Sequence, residues 1–436
     1  MNRDRHCLHL YPLLVALALI ALGATWPATA TAHATLVRAD PPIDGLVAAP
    51  PAQLRLEFSE EVYAGEGSPS IRVLDEQGNT VETSPIGSGV VPARPREVLV
   101  EVDGLGRGTY TVVWSVRSAT DGHTLEGTYA FRVGGGVPPG AATVAGDAPA
   151  AWAVALRWLT FLGAALAAGG FLFGRIILRG LESPADWSKR RTGVILAGVA
   201  VALLATLAEP VLQTLFPPAG VDGDLGEMVQ ALPRAWWLRP AALGPLLLLT
   251  LVLAGPLRGR TPRIAASVGL AFSLVALLGL ALTSHAAGRE TWRGVAVATN
   301  VLHQWSTALW VGGLVHLALW WPSRRDVPHT GTEPLPDEAA PPTLPVHRFS
   351  AIALGLLVVS VVTGSVNTGF VVPAAERFWS GLRDGEFHLP SLSVLWEDGY
   401  SAVLLVKLAV LLLPLALAAY NRVALRRGLT TLATTL

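Results

Sequence analysis

The sequence predicts a two-part chain: an all-β antiparallel sandwich followed by an all-α polytopic membrane bundle of about seven helices. Three observations predict it. The 436 residues are 51% hydrophobic and only 15% charged, too apolar for a wholly soluble chain. Between residues 33 and 133 the apolar residues come in short runs of period two, whereas after residue 151 they come in runs of roughly 20 or more. Residues 135–150, rich in Gly, Pro and Ala and without periodicity, separate the two parts as a linker.

Residues 1–32 read as a secretory signal peptide. Arg3 and Arg5 precede an apolar run from Leu13 to Leu22, and small residues follow at Ala28, Ala30 and Ala32. Two A-x-A sites overlap there. One releases His33 as the new N-terminus and the other releases Thr31. The only cysteine in the chain is Cys7, inside this leader, so thiolate and disulfide chemistry are not expected of a mature form.

The β-part, 33–134, carries the runs LRLEF (54–58), IRVL (71–74), VLVEV (98–102), TYTVVWSV (109–116) and TYAFRV (128–133). Alternation between Pro, Gly and Asp turns reads as an Ig-like sandwich, with Phe58, Trp114 and Phe131 as its expected core. Fourteen acids face eight arginines between 33 and 133. This part would attract cations, and with a formal net charge of zero the whole chain shows no general affinity for nucleic acid.

Apolar segments long enough to span a bilayer lie at 152–178, 192–215, 236–256, 264–284, 294–321, 347–372 and 400–420. With the β-part exported, the loops on the inner side hold Arg175, Arg179, Lys189, Arg190, Arg191, Arg258, Arg260, Arg263, Arg324, Arg325, Arg348, Arg422, Arg426 and Arg427. The outer loops hold far fewer cations and carry Asp222, Asp224 and Glu227. This asymmetry follows the positive-inside rule. It places the β-part outside the plasma membrane and the C-terminus in the cytoplasm.

Cleavage after Ala32 would give His33 both an α-amine and an imidazole, a chelating pair no internal histidine offers. The only other histidine of the β-part is His123, in SATDGHTLEG. Asp121 and His123 are two residues apart and project to one side of an extended segment. Three nitrogens and one carboxylate oxygen suit tetragonal Cu(II), although Zn(II) is also compatible with these ligand types. Cleavage after Ala30 would instead leave Thr31-Ala32-His33, which can bind Cu(II) through its own amine, amides and imidazole.

These residues carry a family resemblance. The start at His33, ADPPIDGLVAAPPAQLRLEFSEEV at 39–62, YTVVWSV at 110–116 and SATDGHTLEGTYAFRV at 118–133 resemble the CopC copper-binding family. The resemblance implies a Cu(II) site of His33, Asp121 and His123. It implies no Cu(I) site here, because the Met-rich loop that serves one is missing from the β-part. The remainder resembles CopD, the integral-membrane partner of CopC. The matching pieces are SHAAG (284–288), LHQWSTALWVGGL (302–314), HRFS (347–350) and YSAVLLVKL (400–408). The order resembles a CopC–CopD fusion.

In the membrane part the candidate copper ligands are His285 and His303 near the outer side, then His316 and His347 deeper. Ionisable groups at membrane depth are costly and usually face an interior path, and Glu209, Asn367 and Lys407 belong to the same set. The expected function is extracytoplasmic Cu(II) binding coupled to inward copper transport, without catalysis. The expected partners are copper ions, the bilayer and extracytoplasmic copper chaperones. No GxxxxGK[ST] motif is present, so ATP-driven pumping is not indicated. Two alternatives are haem-based reduction of Cu(II) and a copper oxidase or monooxygenase site. The first would want paired histidines on one helix face, yet the thirteen residues from His303 to His316 rotate by about 220°. The second needs an open metal position that Asp121 would fill.

Overall fold

The computed structural model describes residues 36–371, apart from 66–67, 82, 121, 123, 136–150, 182–184, 217–223, 256–261, 285, 289–291 and 321–343. The expected leader, the linker 135–150 beyond its first residue, and the seventh apolar segment lie outside the described residues.

Residues 36–133 form two facing sheets. One sheet has the order β1(Leu36–Asp40), β3(Gln53–Phe58), β7(Arg94–Val102), β6(Thr83–Val91), and the other the order β2(Gly45–Val47), β9(Thr124–Val133), β8(Gly108–Arg117), β4(Ser70–Leu74), β5(Thr80–Val81). Every expected alternating run is a strand. The pairing departs from a purely antiparallel sandwich at one place, where β2 runs parallel to the end of β9, Gly45 opposite Phe131 and Val47 opposite Val133. After β1 the chain crosses to the other sheet and lays β2 beside the last strand, so the direction is set by that crossing.

The core is where the alternation puts it. Phe58, Trp114 and Phe131 are buried, and the Phe58 and Trp114 rings meet edge to face at 5.2 Å, a pairing worth about 0.5–1.5 kcal/mol beyond area burial. Opposite Trp114 on β9 stands Gly127. A Cβ there would overlap the indole ring, so the glycine is what lets a tryptophan lie flat across its neighbouring strand.

The second region is helical: α1(Ala151–Leu172), running on into a π-turn at Phe173–Ile177, α2(Ala185–Leu215), the short α3(Leu225–Gln230), a 3-10 turn at Arg234–Trp237, α4(Leu238–Ala254), α5(Arg263–Leu282), α6(Arg293–Trp320) and α7(Leu344–Val371). Six of the seven apolar segments therefore coincide with long helices. Among the described residues, five stretches are long and apolar enough to cross a membrane: 151–177, 187–215, 234–254, 263–282 and 344–367. The stretch 294–321 lies on α6, which falls short of that measure although it has 28 residues. Its sequence explains this, because Thr299, Asn300, His303, Gln304, Ser306, Thr307 and His316 interrupt the apolar run.

The centre of the bundle is α1, which packs against α2, α5 and α6. Its buried face is Gly163, Ala164, Ala165, Ala167, Ala168, Gly169 and Gly170, small residues that let helix backbones approach closely. Gly169 lies against the backbone of Gly312 on α6, and Gly163 against the carbonyl oxygen of Gly198 on α2, so closely that neither position has room for a Cβ.

Candidate metal route

Strands β8 and β9 pair over ten residues each, ending at Arg117 opposite Thr124. Residues 118–123 thus form the connecting loop. Its turn is made by Gly122, whose φ of +79° favours glycine and whose N–H donates to the Ser118 carbonyl at 3.0 Å. Asp121 and His123 belong to this loop but lie outside the described residues, as does His33.

One further residue, with only a faint sequence signal, faces the loop. Glu60 is 6% exposed, and its Oε2 accepts a 2.7 Å hydrogen bond from the Ser118 hydroxyl, which in turn accepts from the Thr120 N–H at 3.1 Å. A signal for it exists in the alternation. Leu54, Leu56, Phe58, Glu60 and Val62 are all buried at period two, so a carboxylate occupies a position where the pattern calls for an apolar side chain. A buried carboxylate costs free energy unless it is hydrogen-bonded or holds a cation.

This loop lies against the helical region. A Cβ on Gly122 would lie 3.3 Å from Pro233 Cδ and 3.8 Å from Leu232 Cδ2, in the segment between α3 and the 3-10 turn. A Cβ on Gly288 would lie 3.2 Å from Thr120 Oγ1 and 3.3 Å from Glu60 Cγ and Cδ. Arg96, at the start of β7, donates from Nη1 to the Ser59 carbonyl at 2.7 Å and from Nη2 to the Gly288 carbonyl at 2.6 Å. Nearby, burial pushes the Arg117 guanidinium below its ordinary pKa, against the opposing effects of Tyr63 and of Glu227 on α3.

Gly288 closes the 283–288 segment that contains His285. His285 itself lies outside the described residues, but its neighbours are in place. Asn300 Nδ2 of α6 donates to Ser284 Oγ at 2.7 Å. Beneath them is a buried ion pair: Glu209 Oε2 accepts from Arg239 Nη1 at 2.8 Å and from Trp236 Nε1 at 3.1 Å, while Arg239 Nη2 donates to Thr283 Oγ1.

From Asn300 a polar seam continues between α6 and α7. Thr299 Oγ1 donates to Asn367 Oδ1 at 2.8 Å, Ser306 Oγ lies 2.7 Å from Ser360 Oγ, and Thr307 Oγ1 lies 3.2 Å from the same hydroxyl. His303 sits in the middle of this seam. Its Nδ1 is 3.0 Å from the Ser360 carbonyl oxygen and 3.3 Å from Thr363 Oγ1, whose own proton goes to the Val359 carbonyl. A carbonyl can only accept, so Nδ1 carries a proton, and in the neutral imidazole the lone pair then falls on Nε2. That is the tautomer a metal-ligating histidine adopts when a backbone carbonyl orients it.

His316 is oriented differently. It is fully buried against α1, with Nε2 donating to the Leu166 carbonyl at 3.0 Å and Gly170 beside the same nitrogen. His347 is exposed on α7. α6 thus turns His316 toward α1 while its His303 face meets α7. Among the described residues, no three of His, Cys, Asp or Glu converge into a group able to hold a metal ion. Lys407 lies outside the described residues.

Comparison with known proteins bears most directly on the N-terminal part. Residues 36–134 match the CopC domain. Copper transport protein CutJ of Bacillus subtilis (strain 168) is 27% identical over 417 residues, which cover 92% of this chain and 70% of that protein. Protein YobA of Escherichia coli (strain K12) is 32% identical over 122 residues, 28% of this chain and 94% of that one. The crystal structure of CopC from Methylosinus trichosporium OB3b is similar at 36% identity over 23% of this chain and 93% of its own, with a TM-score of 0.21. The chain belongs to the CopC family, carrying its CopC domain at the N-terminus ahead of a membrane-type helical region, in the manner of a CopC–CopD fusion.

Proposed function

We propose that this chain captures Cu(II) on its β-domain outside the cytoplasmic membrane and passes copper inward through the helical bundle. The observation that carries the reading is the contact between the two regions: Thr120 and Gly122, which flank Asp121, lie against Gly288 and Pro233, and Gly288 is three residues from His285. A capture loop so placed delivers its ion to the membrane region over a short distance.

The capture ligands in this reading are His33, Asp121 and His123, with the Glu60 carboxylate at the edge of the same loop. Their nitrogen and oxygen donors match Cu(II). The name of the relative CutJ, a copper transport protein, supports the same cargo. From the loop the route follows His285 to His303, whose Nε2 lone pair is set by the Ser360 carbonyl, while His316 is bound into the contact with α1. The excess of Arg and Lys in alternate loops supports an external β-domain and a cytoplasmic C-terminus. Copper reaches the capture site as the ion or from an extracytoplasmic chaperone, and no chemical transformation is part of the reading. A stacked haem pair on α6 is disfavoured, because His303 faces α7 and His316 faces α1.

The test is the copper content of cells with and without the gene, beside His33→Ala and His303→Ala strains. The wild-type gene should raise cell copper and both substitutions should remove the increase. Equal copper in all strains would sink the transport reading.

A further inference from the structure

We propose that Arg96 is a clamp that registers the β-domain on the membrane bundle, and that copper passes between them only while the clamp is closed. The inference rests on the transport reading above and assigns the residue that couples its two halves.

The geometry is that of a fork across an interface. One arm of the guanidinium holds the Ser59 carbonyl of the β-domain at 2.7 Å and the other holds the Gly288 carbonyl of the helical region at 2.6 Å. A planar guanidinium can bridge two acceptors in fixed directions, which a lysine ammonium does less well. Ser59 adjoins Glu60, and Gly288 ends the segment containing His285, so Arg96 ties the two ends of the transfer step to each other. Gly288 against Thr120 and Glu60, and Gly122 against Pro233 and Leu232, supply two further points of contact. The helical region is thus met at two places, Gly288 and Leu232–Pro233, and the directed Arg96 bonds at the first add an orientation to the distance.

The close approach offers a direct test. A Cβ at Gly288 would lie 3.2 Å from the hydroxyl oxygen of Thr120, a separation within reach of a disulfide between cysteines at the two positions. Cys7 is the only cysteine in the sequence, so the Thr120→Cys/Gly288→Cys chain has little competing thiol chemistry, and an oxidising compartment will close the bond. Full-length protein carrying this pair should form the disulfide, and adding Arg96→Ala should slow its formation about tenfold, the effect of losing one charge-assisted hydrogen bond. In cells, Arg96→Ala alone should lower copper accumulation while the purified protein keeps its Cu(II) electron paramagnetic resonance signal. The disulfide should restore accumulation to Arg96→Ala, since a covalent tether replaces the clamp.

Absence of the disulfide, a formation rate indifferent to Arg96→Ala, or accumulation that the tether does not restore would each overturn the proposal. If copper accumulation is flat in every strain, wild type included, the transport reading fails and the clamp is then judged on the disulfide rates alone.

Discussion

His303 of α6 and Ser360 of α7 are joined ring to backbone, with the imidazole Nδ1 3.0 Å from the carbonyl oxygen. The contact needs a helix partner without a side chain one turn further on. A Cβ on Gly364 would stand 3.1 Å from His303 Cε1 and 3.4 Å from Nδ1. Gly364→Ala should therefore displace the ring and reduce copper accumulation several-fold. Thermal unfolding in detergent should not fall with it, because alanine is favoured over glycine in a helix by about 1 kcal/mol. Loss of stability and accumulation together would mean that the glycine serves packing only.

Glu60→Gln keeps a carbonyl acceptor for the Ser118 hydroxyl and removes the charge beside the 118–123 loop. Cu(II) affinity, measured by competition with a chelator, should fall about tenfold, within the usual range for groups around a metal's direct ligands. Unchanged affinity would confine Glu60 to holding Ser118.

The Glu209–Arg239 pair is 5% and 1% exposed by side chain. Arg239→Ala would strand a buried carboxylate and should destabilise the bundle by about 3–5 kcal/mol. The double replacement Glu209→Leu/Arg239→Met removes both charges and should cost clearly less. Comparing the two by thermal unfolding separates the pair's structural role from any role in transport, which the double variant would then expose.

The turn after β4 has its own pH signature. Asp75 accepts from Asn79 Nδ2 and from the N–H groups of Gln77 and Asn79, and the Asn79 side chain is the foremost cause holding its carboxyl below the ordinary value. A depressed pKa contributes stability above the unfolded value that is lost as pH falls through the folded one. Amide protection at Gln77 and Asn79 should thus persist from neutral pH into the ordinary carboxylate range and disappear below it. Asp75→Asn should flatten this dependence in hydrogen-exchange measurements.

The strands legible in the sequence were those with unbroken alternation. Missed strands had physical reasons: β1 shifts register between Leu36 and Arg38, β6 includes Pro85 and two glycines, and β5 has only two residues. The long helices were legible from apolar length, while α6 combined a span's length with a polar seam. Of the proposed route, His303 is legible as an ionisable group within an apolar run. Glu60 is less legible, because an acid in FSEEV reads as surface until its parity with Leu54, Leu56 and Phe58 is counted. The interdomain contact had no sequence signal, since Arg96 and Gly288 are 192 residues apart and one partner is a backbone carbonyl.

The glycine and alanine face of α1 has a consequence for where an ion can go. Gly163 and Gly169 each meet a neighbouring helix too closely for a methyl group, and a cation with its ligands is larger than a methyl. These contacts act as an insulator. His316 is fastened to the Leu166 carbonyl on that closed side, so in the proposed route the flank of α6 left for copper is the one that carries His303.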